Sequence, residues 1–580
     1  MSSDCLPSDI ALKSIFLGPQ SENADWFERK VEEVLSHTFK WRQSRFPQDG
    51  RAISLQDTQQ AEFIALQKKM SSALQELLHS LEGETPKFTP RYIGHMVSEI
   101  SLPSLLAEFA LLLHNPNNAS KEAAKVGLVI ERQAIEDLAK MIGFNPNLAR
   151  GHFTSCGTVA NFEALWRCLY WFDRKLSLAL CLIDKNKKPK EDFFNLCHVS
   201  REKWLELSVQ FSVQEVELNR FSILLQGPWG VPIREIIGTP FRGPILLVPG
   251  NRHYSWPKAA AVFGLGNASA WTVSLDKDGR LDVNDLKQKI EQARKEQRPI
   301  LSVTSVAGTT ELGEVDPIGE VQAVLEQHKN GQGLHLWHHV DAAYGGFFSC
   351  LKKSETSLLS QKILSAFEAF AKVDSITIDP HKLGYVPYAC GAFLVKDEIH
   401  YQTYQVRAPY LQKETAVQAG WATTLEGSRS AAGAAAVWLT AKTLPFDSAG
   451  LGRILEKTIE AKHVFASELA QVQNINLVSP SDTNVLCFSF ASKSDDIKVA
   501  NNKTMNLFEK IEREPNFSVS RTTLLRSSYA KMISRLCGEW QVVDDGISDL
   551  VVIRLVLMNP FIVSKEMQID FAKSFAQELK

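Results

Sequence analysis

The sequence predicts an α/β fold, a mainly parallel sheet with helices on both faces, preceded by a helical segment and followed by a smaller α+β domain. Three observations carry this. From about residue 120 to 400, short apolar runs of strand length alternate with helical stretches. Residues 1–110 lack such runs and read as helices. At 580 residues the chain is too long for one core, so two or three domains are expected.

In order, "ADWFERKVEEVLSHTFKW" (24–41) and "QQAEFIALQKKMSSALQELLHSLEG" (59–83) read as helices, the second stopping at Gly83. The segment "LLLHNPNNAS" (111–120) reads as a loop, with Asn and Pro supplying turn chemistry. Strands are expected at "PILLVPG" (244–250), "ILSVTSVAGTT" (300–310), "LHLWHHVDAAYGG" (334–346), "SITIDP" (375–380) and "CGAFLVKD" (390–397). A helix over "DVNDLKQKIEQARKEQ" (282–297) lies among them, and "LIDKNKKPKED" (182–192) reads as solvated loop. The Ala-rich "RSAAGAAAVWLTAKTL" (429–444) is helical, and "TNVLCFSF" and "LVVIRLVLM" are strands of the last domain. The divisions are thus 1–115 (helical segment), 116–430 (large α/β domain) and 431–580 (small α+β domain).

The chain is 44% hydrophobic and 22% charged, with net charge −2 and a pI near 6.7. No global field draws it to nucleic acid or an anionic membrane, which points to a small-molecule enzyme. Nine scattered cysteines without a CxxC pair favour a reducing compartment, and no signal peptide is visible. The apolar "LPSLLAEFALLLH" (102–114) is interrupted by Glu108 and falls short of the roughly 20 residues a span needs. A cytoplasmic protein with no nucleic-acid or membrane partner is expected.

In an open α/β sheet, ligands bind beyond the carboxyl ends of strands, and four such places carry chemistry. Cys156-Gly157-Thr158 opens a helix, where backbone N–H groups suit a phosphate, although such a turn also serves as an ordinary cap. Asp341 ends an apolar strand, where it can pair with a protonated pyridine nitrogen or merely cap the next helix. His253 follows a strand and can stack on a cofactor or sit as a core histidine. Lys382 ends "SITIDPHK", where burial lowers a lysine pKa and frees an amine to attack an aldehyde. Read alone, such a lysine is more often a surface lysine than a nucleophile. In "HLWHHV", His335 and His339 would share one strand face and His338 the other, and no Cys/His spacing suggests zinc, so no metal is expected.

The series "PRYIGHMVSE", "LHNPNN", "FTSCGTVAN", "HYSWPKA", "AGTTELGEVDPI", "HVDAAYGG", "SITIDPHKLGYVPY" and "LEGSRSAAGAAAVW" resembles, in order, the group II pyridoxal-phosphate-dependent amino-acid decarboxylases. It is most similar to bacterial tyrosine decarboxylases and to aspartate or glutamate decarboxylases. The resemblance covers residues 85–440 well and the ends loosely. It implies an aspartate-aminotransferase-type large domain with a seven-stranded, mainly parallel sheet. It also implies pyridoxal 5'-phosphate as cofactor, α-decarboxylation of an L-amino acid, and a homodimer with active sites at the subunit interface.

By the same resemblance, Lys382 holds the cofactor aldehyde as a Schiff base and His381 is its neighbour. Asp341 pairs with the ring nitrogen and His253 stacks on the ring. Cys156, Gly157 and Thr158 take the phosphate, Thr310 and Asp379 make further cofactor contacts, and Ser428 reaches phosphate across the dimer. His95 and Tyr388 approach the substrate, and Tyr410 or His253 protonates the product carbanion. Cys156 stands where many relatives have glycine. Arg91 is the candidate cation for an acidic substrate. A sphingosine-phosphate-lyase type, an oxidative deaminase and a silent scaffold remain the alternatives.

Overall fold

The structure, a computed structural model, describes residues 8–404, 423–514 and 516–580. Its large sheet contains β1 (Arg150–Thr154), β2 (Ile245–Pro249), β3 (Ala270–Val273), β4 (Ile300–Val306), β5 (His338–Asp341), β6 (Ser375–Ile378) and β7 (Gly391–Val395). They lie in the order β1-β7-β6-β5-β4-β2-β3. β7 runs antiparallel to both its neighbours, β6 and β1, and the other pairs are parallel. Every residue of β2, β4, β6 and β7 is buried, which explains why these strands read as continuous apolar runs.

A smaller antiparallel sheet follows, with β8 (Ile475–Leu477), β9 (Val485–Phe490), β10 (Ser520–Leu524) and β11 (Leu550–Val556) in the order β10-β11-β9-β8. The two sheets share a core in which Leu275 and Val340 of the large unit belong to the same buried cluster as Val485 and Leu550 of the small one.

The helix Gly157–Asp184 packs along the large sheet and buries most of its circumference, including Leu165, Phe172 and Leu176. Its first turn follows directly from β1, so the start of the helix lies at the carboxyl edge of the sheet.

Several local expectations change. β1 and β3 are absent from the sequence reading, because "RGHFT" is polar and glycine-containing and "AWTV" is only four residues. The helix Leu102–His114 continues into the expected loop, ending at Asn115 in the left-handed region (φ 45°). The strand expected over 334–346 pairs only from His338 to Asp341, before the chain turns into a 3-10 helix at Gly345. In the stretch 182–192, Leu182 and Ile183 are buried in the last turn of the long helix. Among the described residues, no helix is long and apolar enough to cross a membrane.

Candidate active site

Because β1 is antiparallel to an antiparallel strand, its carboxyl end lies beside those of β2, β4, β5 and β6. Five strand ends therefore converge on one edge, around a cavity of about 200 Å³. Cys156, Gly157 and Thr158 line it after β1, His253 after β2 and Thr310 after β4. Asp341 ends β5, and Asp379, His381 and Lys382 follow β6.

The lysine is placed by a tight turn. Its backbone N–H donates to the Asp379 carbonyl at 3.0 Å, and Tyr385 in turn donates to the Lys382 carbonyl at 3.1 Å. Tyr385 adopts the left-handed region (φ 54°), and its hydroxyl donates to the Met558 carbonyl, which ties the turn to the segment following β11. Within this turn, Lys382 Nζ lies 3.1 Å from Asp379 Oδ2. Burial pulls the lysine pKa down, but Asp379, then Asp341 and Tyr388, more than offset it and leave the pKa above the ordinary value. This corrects the expectation that burial by itself would free the amine. The carboxylate three residues earlier wins, because an ion pair inside protein is weakly screened.

Asp341 is buried and its Oδ2 accepts from Asn161 Nδ2 at 2.8 Å and from the Trp256 indole at 3.4 Å. The same Asn161 amide donates to Ser255 Oγ at 2.9 Å, and that hydroxyl lies 2.9 Å from His253 Nδ1. A hydrogen-bonded chain thus joins His253 to Asp341. Burial lowers the His253 pKa, so the ring is a neutral imidazole at neutral pH.

No side chain caps the helix that starts at Gly157, leaving its first N–H groups for an anion. A Cβ on Gly157 would come within 2.8 Å of Asp379 Oδ2, so the cradle has room only for glycine. Asp379 Oδ1 is buried and, among the described residues, has no hydrogen-bond partner. An amine, a buried carboxylate, a flat imidazole and an uncapped helix start lining one cavity suit a phosphorylated pyridine aldehyde.

Of the remaining expected residues, His381 is on the cavity wall and the other described ones are not among its lining residues. His381 accepts no charge readily, since burial lowers its pKa, and its Nδ1 lies 2.6 Å from the Cys390 carbonyl. Tyr388 is exposed, with its ring 4.3 Å from that of His381, and burial of its hydroxyl end raises its pKa. His95 is not on the cavity wall, and its Nδ1 accepts from Arg554 Nη2 at 3.2 Å. Ser428 is exposed, accepts from Asn117 and does not line the cavity of its own chain. Tyr410 lies outside the described residues. Arg91 donates to the Asn516 carbonyl and stacks on Phe517 and Phe571, away from the cavity wall.

Asn161, Ser255 and Arg554 were not singled out from the sequence. Asn161 stands four residues after Gly157, on the same helix face, and Ser255 two after His253. Arg554 is a lone cation in the apolar run of β11, a signal in itself. Its Nη1 donates to the Thr310 carbonyl and its Nε to Ser520 Oγ at 3.0 Å.

Residues 243–491, which include His253, Asp341 and Lys382, match the family profile described as the pyridoxal-dependent decarboxylase conserved domain. These residues carry a pyridoxal-dependent decarboxylase conserved domain, and the chain as a whole is similar to amino-acid decarboxylases. Pyridoxal phosphate is accordingly the cofactor. This decarboxylase is 27% identical to an L-tyrosine decarboxylase of Enterococcus faecium, over 99% of this chain and 98% of that protein. It is 26% identical to an aspartate 1-decarboxylase of Aliivibrio fischeri, over 86% and 81% of the two chains. In fold, the decarboxylase is similar to mouse CSAD, with a TM-score of 0.62 at 18% identity, covering 96% of this chain and 99% of that one.

Proposed function

We propose that the protein removes the α-carboxyl group of an aromatic L-amino acid as carbon dioxide, leaving the amine. The observation that carries the substrate class is charge: among the described residues on the cavity wall, Lys382 is the single cation. Arg554, held against Thr310 beside the cavity, is then the natural seat for the substrate α-carboxylate. An acidic side chain would need a further cation, and Arg91 is engaged elsewhere. The full-length similarity to a tyrosine decarboxylase supports the same reading.

The bound cofactor supplies an electron sink for the carbanion left when carbon dioxide departs. In this proposal the Lys382 amine would hold the cofactor. Asp341 would pair with the ring nitrogen, and Asn161 and Trp256 hold its carboxylate in place by donating to it. His253 would cover the ring, the amides of Cys156 to Thr158 would hold its phosphate, and His253 or Tyr410 would return a proton to the α-carbon. Thr310, Asp379 and His381 would complete the cofactor wall, while His95 and Tyr388 would approach the substrate from beyond that wall.

We also propose a cytoplasmic homodimer. Phe39, Phe46, Leu66, Met70, Leu74 and Leu78 of the N-terminal helices are each more than half exposed, an apolar surface that a second copy would cover. Exposed Ser428 would then reach a partner's phosphate. Eight described cysteines are unpaired, which suits a reducing compartment.

The test is carbon dioxide release from L-Tyr, L-Dopa, L-Trp, L-Asp and L-Glu. Release chiefly from the aromatic members is expected. Preference for L-Asp or L-Glu overturns the substrate class, and no release from any of the five overturns decarboxylation of these substrates.

A further inference from the structure

The opposite edge of the large sheet carries a second group of side chains that the decarboxylase chemistry does not use. His335 stands three residues before β5, Asp374 immediately before β6, and His400 in the 3-10 turn Glu398–Tyr401 after β7. Because β7 is antiparallel, its carboxyl end meets the amino ends of β5 and β6, and the three side chains converge. Asp374 and Asp379 bracket β6, so the two sites lie roughly 17 Å apart at about 3.3 Å per residue.

His335 Nε2 lies 3.0 Å from Asp374 Oδ1, and His400 Nδ1 lies 3.8 Å from the same oxygen. All three ligand atoms fall within 4.8 Å of one another. Zinc bound at about 2.0–2.1 Å by tetrahedral ligands places neighbouring donor atoms roughly 3.3 Å apart, between those two distances. A plain His335–Asp374 ion pair explains the shorter contact but not His400. Its Nδ1 is buried, too far from Asp374 for a hydrogen bond, and without a hydrogen-bond partner among the described residues.

The ligands are also preset. Asp374 Oδ2 accepts from the His338 N–H at 2.8 Å, which orients the carboxylate. The His400 ring packs against Trp337 at 4.8 Å and lies nearly parallel to His335, at 15°. A cavity of about 500 Å³ opens onto the group, giving a metal an entry path and a place for a water ligand. Its other charges are mixed, Glu202 and Asp397 against Arg201, Lys329 and Lys396.

We propose that His335, Asp374 and His400 form a binding site for a divalent transition metal such as Zn²⁺, separate from the cofactor pocket. A metal there clamps the ends of β5, β6 and β7 together. The inference does not depend on which amino acid the enzyme decarboxylates, or on whether it decarboxylates one.

The experiment uses the cofactor-bound protein after chelator treatment and dialysis, titrated calorimetrically with Zn²⁺. One Zn²⁺ per chain is expected, with the visible cofactor absorbance unchanged and the melting temperature raised. His400→Gln and Asp374→Asn are each expected to weaken binding at least about tenfold. Failure to bind Zn²⁺, or equal binding by the folded His400→Gln variant, overturns the proposal. Should both variants fail to fold, Co²⁺ on the unaltered protein decides: tetrahedral visible bands are expected, and their absence overturns the site.

Discussion

Lys382 Nζ and Asp379 Oδ2 face each other at 3.1 Å across a single turn of chain. Asp379 holds the amine as an ammonium, above its ordinary pKa, although the lysine is largely enclosed. Only the unprotonated amine attacks an aldehyde. Loading of cofactor-free protein with pyridoxal phosphate should therefore speed up as pH rises into the alkaline range. Asp379→Asn removes the leading charge that raises this pKa, so the rise should move to lower pH. Absorbance-monitored loading across pH checks it, and an unshifted profile contradicts the role given to Asp379. Lys382→Ala should abolish the visible band of lysine-bound cofactor and cut activity by about 10³-fold or more.

Asn161→Ala leaves the buried Asp341 short of its 2.8 Å donor. Losing such a charge-assisted bond is worth about 1.5–3 kcal/mol. The expected outcome is a fall in kcat of roughly ten- to a hundredfold with KM nearly unchanged, because Asn161 acts through Asp341. Steady-state kinetics separates the two, and a rise in KM alone would contradict it.

Gly157→Ala drives a methyl group to 2.8 Å from Asp379 Oδ2 and 3.1 Å from the Ala343 Cβ. The Asp379 carboxylate would have to shift, and with it its 3.1 Å contact to Lys382 Nζ. Cofactor affinity is expected to fall at least about tenfold, about 1.4 kcal/mol. Equilibrium dialysis of the cofactor measures it directly.

Arg554→Gln keeps a hydrogen-bonding side chain but removes the charge that would meet a substrate carboxylate. KM should rise roughly ten- to a hundredfold, corresponding to about 1.5–3 kcal/mol for a charged hydrogen bond. Cofactor absorbance should not change. A variant with normal KM would remove Arg554 from substrate binding.

The helix behind the site holds a buried pair, Glu163 and Arg167. Burial pushes the Glu163 carboxyl up, but Arg167 and then His152 hold it down at about 2. A carboxyl depressed on folding contributes stability above its unfolded pKa of about 4.3, and loses it as pH falls toward 2. Arg167→Met strands the carboxylate, with an expected cost of about 3–5 kcal/mol at pH 7. The gap between variant and native stability should narrow below pH 4. Denaturant melts at pH 7 and at pH 3 test both statements.

The central strands were legible in the chain because burial on both faces demands unbroken apolar runs, as in β2 and β4. Lys382, Asp341 and His253 could be found because each stands at the end of such a run, where backbone geometry alone selects the ligand edge. β1 was not legible: "RGHFT" earns its place by pairing with β7, and pairing leaves no mark in a five-residue polar segment.

What side chains do to one another was settled only by packing. The sequence put Lys382 in an apolar setting, which argued for a lowered pKa, yet the turn after β6 folds Asp379 back onto it and reverses the sign. Arg554 lies far along the chain from Thr310, and only the docking of the small sheet brings its guanidinium to the pocket. His335 and His400 looked unrelated until an antiparallel β7 carried one toward the other. Local patterns register what a residue needs from solvent; long-range pairing decides which charge it meets, and at what distance and burial, which together set the electrostatic energy.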